Sequence, residues 1–231
     1  MIDLIEPSKR VLVVAAHPDD EVIGCGGTIA KLTKNGVEVS LLVLGGVTTS
    51  RYKDNKKEED WKKSKYIDEL ESSSRLLEIK NIFRENLDDN RFDTYPLLDI
   101  VKKIEKIKMD VSPEYVFTHW HSDLNIDHEI THRAVLTSFR PDINKHVNIL
   151  AFEVLSSSEW SVNHNKFQPH IYVDISSFIE KKLDAMRCYK SEIREYPYPR
   201  SIDGIKIHAH ARGLEVCLDY AEAFMFMRYY G

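Results

Sequence analysis

Apolar residues along the chain fall into short bounded runs, and most of these runs show no polar alternation. Val11, Leu12, Val13, Val14, Ala15 and Ala16 form the first, opened by Arg10 and rich in β-branched side chains, which predicts a central parallel strand covered on both faces. Residues 28–34 have the composition of a short helix stopped by Asn35 and Gly36, and residues 37–44 repeat the buried-strand pattern before Gly45 and Gly46. Strand, helix, strand is the building unit of an open parallel α/β sheet. Residues 48–65 turn polar and read as a solvated loop, leading into a helix on which Tyr66, Leu70, Ser74 and Leu77 share a face. A short strand is expected at 79–83, and a helix at 95–108 from the spacing of Leu98, Val101, Ile104 and Ile107. Further strands are expected at 115–118, 148–155 and 170–173. Helices are expected at 128–139, ahead of Pro141, and at 176–189, capped by Ser176. No internal repeat or domain boundary interrupts the pattern. The expectation is one Rossmann-like α/β domain over residues 1–231, with a mostly parallel sheet flanked by helices.

Composition narrows the class. The chain has 231 residues, enough for a large core, with 37 acidic against 32 basic residues and a net charge of −5, so neither nucleic acid nor an anionic membrane is favoured as a partner. No apolar stretch is long enough to span a bilayer, and residues 1–10 are too polar for the core of a signal peptide, so a cytoplasmic protein is expected. Cys25, Cys188 and Cys217 are widely spaced and form no C-x-x-C pair.

The ionisable residues concentrate just after two of the expected strands, where open α/β sheets bind ligands. His17, Pro18, Asp19, Asp20 and Glu21 follow the first strand. Three acids beside an imidazole are costly in a partly desolvated site unless a cation balances them; capping of the next helix is the plainer use of Asp19 or Asp20. The second cluster runs from His119 through His121, Asp123, Asn125 and Asp127 to His128, with His132 one helical turn beyond. Imidazole and carboxylate together suit zinc, whose catalytic sites use three protein ligands and lower the pKa of a bound water to ~7; an adjacent carboxylate can then take the proton. A rival pattern overlaps the same residues. His128, Glu129 and His132 match H-E-x-x-H, a zinc-metalloprotease signature, although the extended form requires glycine and histidine where this chain has Val135 and Ser138. A third reading is a module that binds metal or sugar without turnover. Gly24, Gly26 and Gly27 lack the spacing of a dinucleotide fingerprint.

The segment from Ala16 to Glu21, the following Gly24, Cys25, Gly26, Gly27 and Thr28, and the run from Asp123 to His128 together resemble the LmbE-like, or PIG-L-like, zinc-dependent N-deacetylases of amino sugars. Residues 212–224 also resemble the closing segment of that family. The resemblance implies His17, Asp20 and His128 as zinc ligands and Asp19 as general base. It implies Asp127 as a carboxylate behind a ligand or facing substrate. The loop arginine Arg51 would hold the substrate. Many members carry a histidine where this chain has Asn125, which leaves an amide donor in place of a proton donor. His210, ahead of His121, is expected to protonate the leaving amine, with His208 a further candidate. The implied substrate is a small N-acetylated sugar, free, lipid-linked or nucleotide-linked. The basic run of Arg51, Lys53, Lys56 and Lys57 suits either a phosphate or a merely solvated face.

Overall fold

A computed structural model describes residues 6, 8–46, 56–162 and 165–230, leaving out the side chains of 56–64. Among the described residues, seven strands form one sheet in the order β3-β2-β1-β4-β5-β7-β6. They are β1 (Arg10–Ala15), β2 (Glu38–Gly45), β3 (Asn81–Leu87), β4 (Tyr115–His119), β5 (Asn148–Phe152), β6 (Ile171–Asp174) and β7 (Ala221–Arg228). Pairings among β1 to β5 are parallel, and β7 runs antiparallel between β5 and β6. The helices are α1 (Asp20–Lys34), α2 (Lys56–Leu76), α3 (Leu97–Val111), α4 (Ile126–Ser138), α5 (Ile179–Cys188) and α6 (Ile202–Leu214).

The unbroken apolar run of β1 serves two cores at once. Val11, Val13 and Ala15 pack with α1, α2, α5 and α6, while Leu12, Val14 and Ala16 pack with α3 and α4. The chain winds from β1 outward through β2 to β3, then returns to build β4 and β5 on the other side. The strand order therefore reverses between β1 and β4, and the crevice at their carboxyl ends lies at that switch point.

Several boundaries differ from the sequence expectations. Helix α1 starts at Asp20, inside the first cluster, and its first five residues form a turn broken at Cys25 (φ −148°). The amides of Gly27 and Thr28, freed by that break, donate to the carboxylate of Glu222 on β7, which also pairs with the buried Lys182. A Cβ on Gly27 would stand 2.8 Å from Ile175, so the glycine admits a close helix approach. Helix α2 begins at Lys56, inside the stretch expected to be loop. Helix α5 is not capped by Ser176, whose hydroxyl instead accepts from the Tyr220 amide at 3.2 Å. The sequence reading assigned no secondary structure to the residues of α6 and β7. Among the described residues, no helix is long and apolar enough to cross a membrane.

Candidate metal centre

The turn after β1 and the N-terminus of α4 bring His17, Asp20 and His128 together, their ligand atoms within 4.8 Å of one another. His17 Nδ1 and His128 Nε2 each lie 3.4 Å from Asp20 Oδ2. A tetrahedral zinc with bonds of about 2.0–2.1 Å holds its ligand atoms roughly 3.3–3.4 Å apart, so the spacing fits. Asp20 and His128 are wholly buried, yet Asp20 Oδ1 and His128 Nε2 have no hydrogen-bond partner. Orphaned polar atoms in a dry site are costly, and a cation held by the three side chains would give His128 Nε2 the partner it lacks.

Each imidazole is backed by a carboxylate. Behind His17, Asp127 Oδ2 faces Nε2 at 2.9 Å, and Asp89 stands 3.1 Å from the same nitrogen. Asp127 is itself fixed by the amides of Asn90 (2.6 Å) and Phe92 (3.0 Å). Behind His128, Asp123 Oδ1 lies 3.2 Å from Nδ1 and accepts from the Ser157 hydroxyl, while its second oxygen accepts from Ser158. Such partners select the tautomer and aim the free nitrogen. Burial opposes charge on both rings, but the surrounding carboxylates outweigh it and raise His17 to about 10 and His128 to about 9. Asp123 goes down to about 2, because its bonds to His128 and the serines overcome its burial. The first turn of α4 lies at this centre, and the partial positive charge of that N-terminus favours the carboxylates there.

Asp19 occupies the residue before α1 in a left-handed conformation (φ 100°), unusual for a residue with a side chain. Its amide is held by the carboxylate of Glu21, which in turn accepts from the buried Tyr189 hydroxyl. One carboxylate oxygen of Asp19 accepts from Arg200 Nη1 at 2.9 Å, while Oδ1 is buried without a partner. Burial raises the pKa of Asp19 well above the ordinary range, with Arg200 opposing and Asp20 reinforcing the shift.

Other expected participants are placed elsewhere. His132 Nδ1 bonds the carbonyl of His119 at 2.7 Å and takes no part in the His17, Asp20, His128 group, so the H-E-x-x-H ligand pair does not form. Burial lowers this ring to about 4. Glu129 is half-buried on α4. Asp127 offers no oxygen to a substrate, since both are engaged and the residue is buried. Asn125 caps α4, its Oδ1 accepting from the Asp127 amide at 2.9 Å, which leaves only its NH₂ group for other work. His210 is exposed, with Nδ1 on the carbonyl of Asp219 at 2.7 Å and its ring against Tyr220. His121 is exposed against Trp120 and His132, and His208 pairs with Glu153 at 3.0 Å. Among the described residues, no contact joins any of these three rings to the metal cluster. His119, though buried beside it, uses Nε2 to accept from the Ala16 amide at 2.8 Å. Arg51 and Lys53 lie outside the described residues.

Two contributors escaped the sequence reading. Asp123 lies within the second motif, whose pattern gives it no role, and its serine partners follow β5. Arg200 lies 181 residues from Asp19 and carries no local signal.

Comparison with known proteins places both clusters within one family match. The GlcNAc-PI de-N-acetylase family, PIG-L, matches residues 12–139, more than half of the chain and both clusters. The chain belongs to the PIG-L family. The diacetylchitobiose deacetylase of Thermococcus kodakarensis is 27% identical over 208 residues, covering 84% of this chain and 76% of that protein. The N,N'-diacetylchitobiose deacetylase structure from Pyrococcus horikoshii superposes with a TM-score of 0.75 at 26% identity, covering 95% of this chain and 84% of the other. The fold alone is also similar to a 4-carboxy-2-hydroxymuconate hydratase from Pseudomonas putida, with a TM-score of 0.75 at 20% identity over 96% of this chain and 98% of that one. The reaction therefore has to be read from the site rather than from the fold.

Proposed function

We propose that this PIG-L protein is a zinc-dependent hydrolase that removes an N-acetyl group from an amino sugar or sugar conjugate, giving acetate and the free amine. The observation that carries the reading is the convergence of His17, Asp20 and His128 beside a buried carboxylate, Asp19, whose Oδ1 has no partner. His17, Asp20 and His128 would hold the metal, with Asp127 and Asp123 fixing the two rings. Zinc bound there would acidify a water and polarise the acetamide carbonyl.

Asp19 accepts the proton from the attacking water at Oδ1. Arg200 holds the other oxygen, so the free one keeps a single direction. The raised pKa of Asp19 equips it to retain that proton and deliver it to the leaving nitrogen, a role the sequence reading gave to His210 or His121. Their placement supports the transfer to Asp19. Asn125 presents its amide NH₂ for substrate binding, and Arg51 remains the proposed contact of the loop after β2.

Among relatives, the family description and the archaeal deacetylases share N-acetylglucosamine as the acetylated unit, which supports that sugar as the substrate class. The test is acetate release across free, lipid-linked and nucleotide-linked N-acetylglucosamine derivatives, with metal content measured on the same sample. Acetate release without peptide cleavage is expected from a metal-replete protein. Peptide cleavage, or metal binding with no acetate from any derivative, would overturn the reading.

A further inference from the structure

Next to His17 the molecule contains a cavity of about 200 Å³ between α2 and the carboxyl ends of β2 and β3. Pro18, Val43, Ile67 and Leu70 contribute its apolar walls. The charged side chains at its edge are already neutralised, Arg84 by Glu71 at 3.1 Å and Glu85 by Lys103. Among the described residues it therefore offers no unpaired cation to a phosphate. The cavity also abuts the metal centre. Gly45, another lining residue, donates its amide to the Ala16 carbonyl at 2.7 Å, and a Cβ there would stand 3.1 Å from His17 Cδ2. Pro18 is the residue between His17 and the proposed base.

We propose that this cavity receives an apolar group carried by the substrate, of benzene to short-alkyl size, while the acetamide lies at the His17, Asp20, His128 cluster. The inference rests on the deacetylase reading and adds a substrate feature to it. An apolar cavity of about 150 Å³ takes up benzene, so the volume is sufficient. The apolar group is either an aglycone or an N-acyl chain longer than acetyl, chemically equivalent ligands for the same walls.

Two substrate series distinguish the sources. One varies the aglycone of an N-acetylglucosaminide from methyl to phenyl to hexyl. The other varies the acyl group of methyl glucosaminide from acetyl to butanoyl to hexanoyl. At least about a tenfold gain in kcat/KM along one series is expected, and Ile67→Trp, which fills the cavity, should collapse that ratio toward one. Flat profiles in both series, or a gain that survives Ile67→Trp, would overturn the proposal. Inhibition of wild-type turnover by hexyl and methyl glucosides, which lack the acetamide, gives a reading independent of the variant's folding. Tighter inhibition by the hexyl compound, by about tenfold, supports the cavity as an aglycone site, and equal inhibition together with a flat acyl series contradicts it. If no compound in either series is hydrolysed, the deacetylase reading itself has failed. The cavity is then judged by calorimetry of the same two glucosides, with the same tenfold difference for it and equal affinity against it.

Discussion

His17 and His128 each face Asp20 with one nitrogen and a further carboxylate with the other, whereas His132 gives its Nδ1 to a main-chain carbonyl. Replacing His17, Asp20 or His128 by Ala should therefore strip most of the metal, and His132→Ala should leave it bound, as read by elemental analysis of the purified variants. Loss of metal in His132→Ala with retention in Asp20→Ala would restore the protease ligand set. Arg200 supports a pH prediction of definite sign. Its guanidinium opposes the burial that raises the pKa of Asp19, so Arg200→Met should raise that pKa further. The base then loses its proton only at higher pH, and the acidic limb of the kcat/KM profile should move upward in pH. An unmoved limb would separate Arg200 from the base.

At the scale of elements, the sites are made by helix beginnings. Helix α4 starts at Asn125 because its side chain accepts from the Asp127 amide, and that cap places Asp127 and His128 in the first turn. Asn125→Ala should cost about 1 kcal/mol of stability, the usual worth of such a cap. Gly27→Ala should destabilise by roughly 1–3 kcal/mol, because its Cβ would meet Ile175 at 2.8 Å. Chemical denaturation measures both, and a neutral Gly27→Ala would mean that α1 can move off Ile175. Much of this architecture was legible in the sequence, since β1, β2 and β4 are apolar runs whose signal is local. The start of α1 was not, because its first turn carries buried charges, Asp20 at the metal centre and Glu21 on Tyr189, rather than a periodic apolar stripe. Helix α2 was read as beginning too late for a related reason, the charged composition of its first turns masking the helix. The metal cluster follows from two motifs of adjacent residues, whereas the Arg200 contact to Asp19 exists only through the tertiary fold.

Across the whole molecule, the carboxyl end of β5 is tied to α6 through Glu153, which accepts from Arg212 Nε at 2.7 Å and Nη2 at 2.8 Å and pairs with His208. Burial would raise this carboxyl, but His208 and Arg212 bring it down from 4.5 to about 2. A depressed carboxyl contributes its stability in full above the unfolded value and loses it as pH falls through the folded one. The contribution, on the order of 3 kcal/mol, should be present above pH 4.5 and fade toward pH 2. Glu153→Gln should accordingly lower stability at neutral pH and flatten its decline in acid, measured by denaturant unfolding at a series of pH values. Parallel wild-type and variant curves across that range would remove Glu153 as the source.

The protein as an enzyme turns on Asp19, held by Arg200 and by the Glu21 carboxylate with one oxygen left free. Asp19→Asn preserves size and hydrogen bonding while removing basicity, and the three metal-holding side chains are untouched. Acetate release from an N-acetylglucosamine oligosaccharide, compared between wild type and Asp19→Asn at equal metal occupancy, is the most direct test. A fall in kcat of about 10²-fold or more is predicted, the scale of general-base catalysis. Turnover near the wild-type rate in the metal-replete variant would contradict the account.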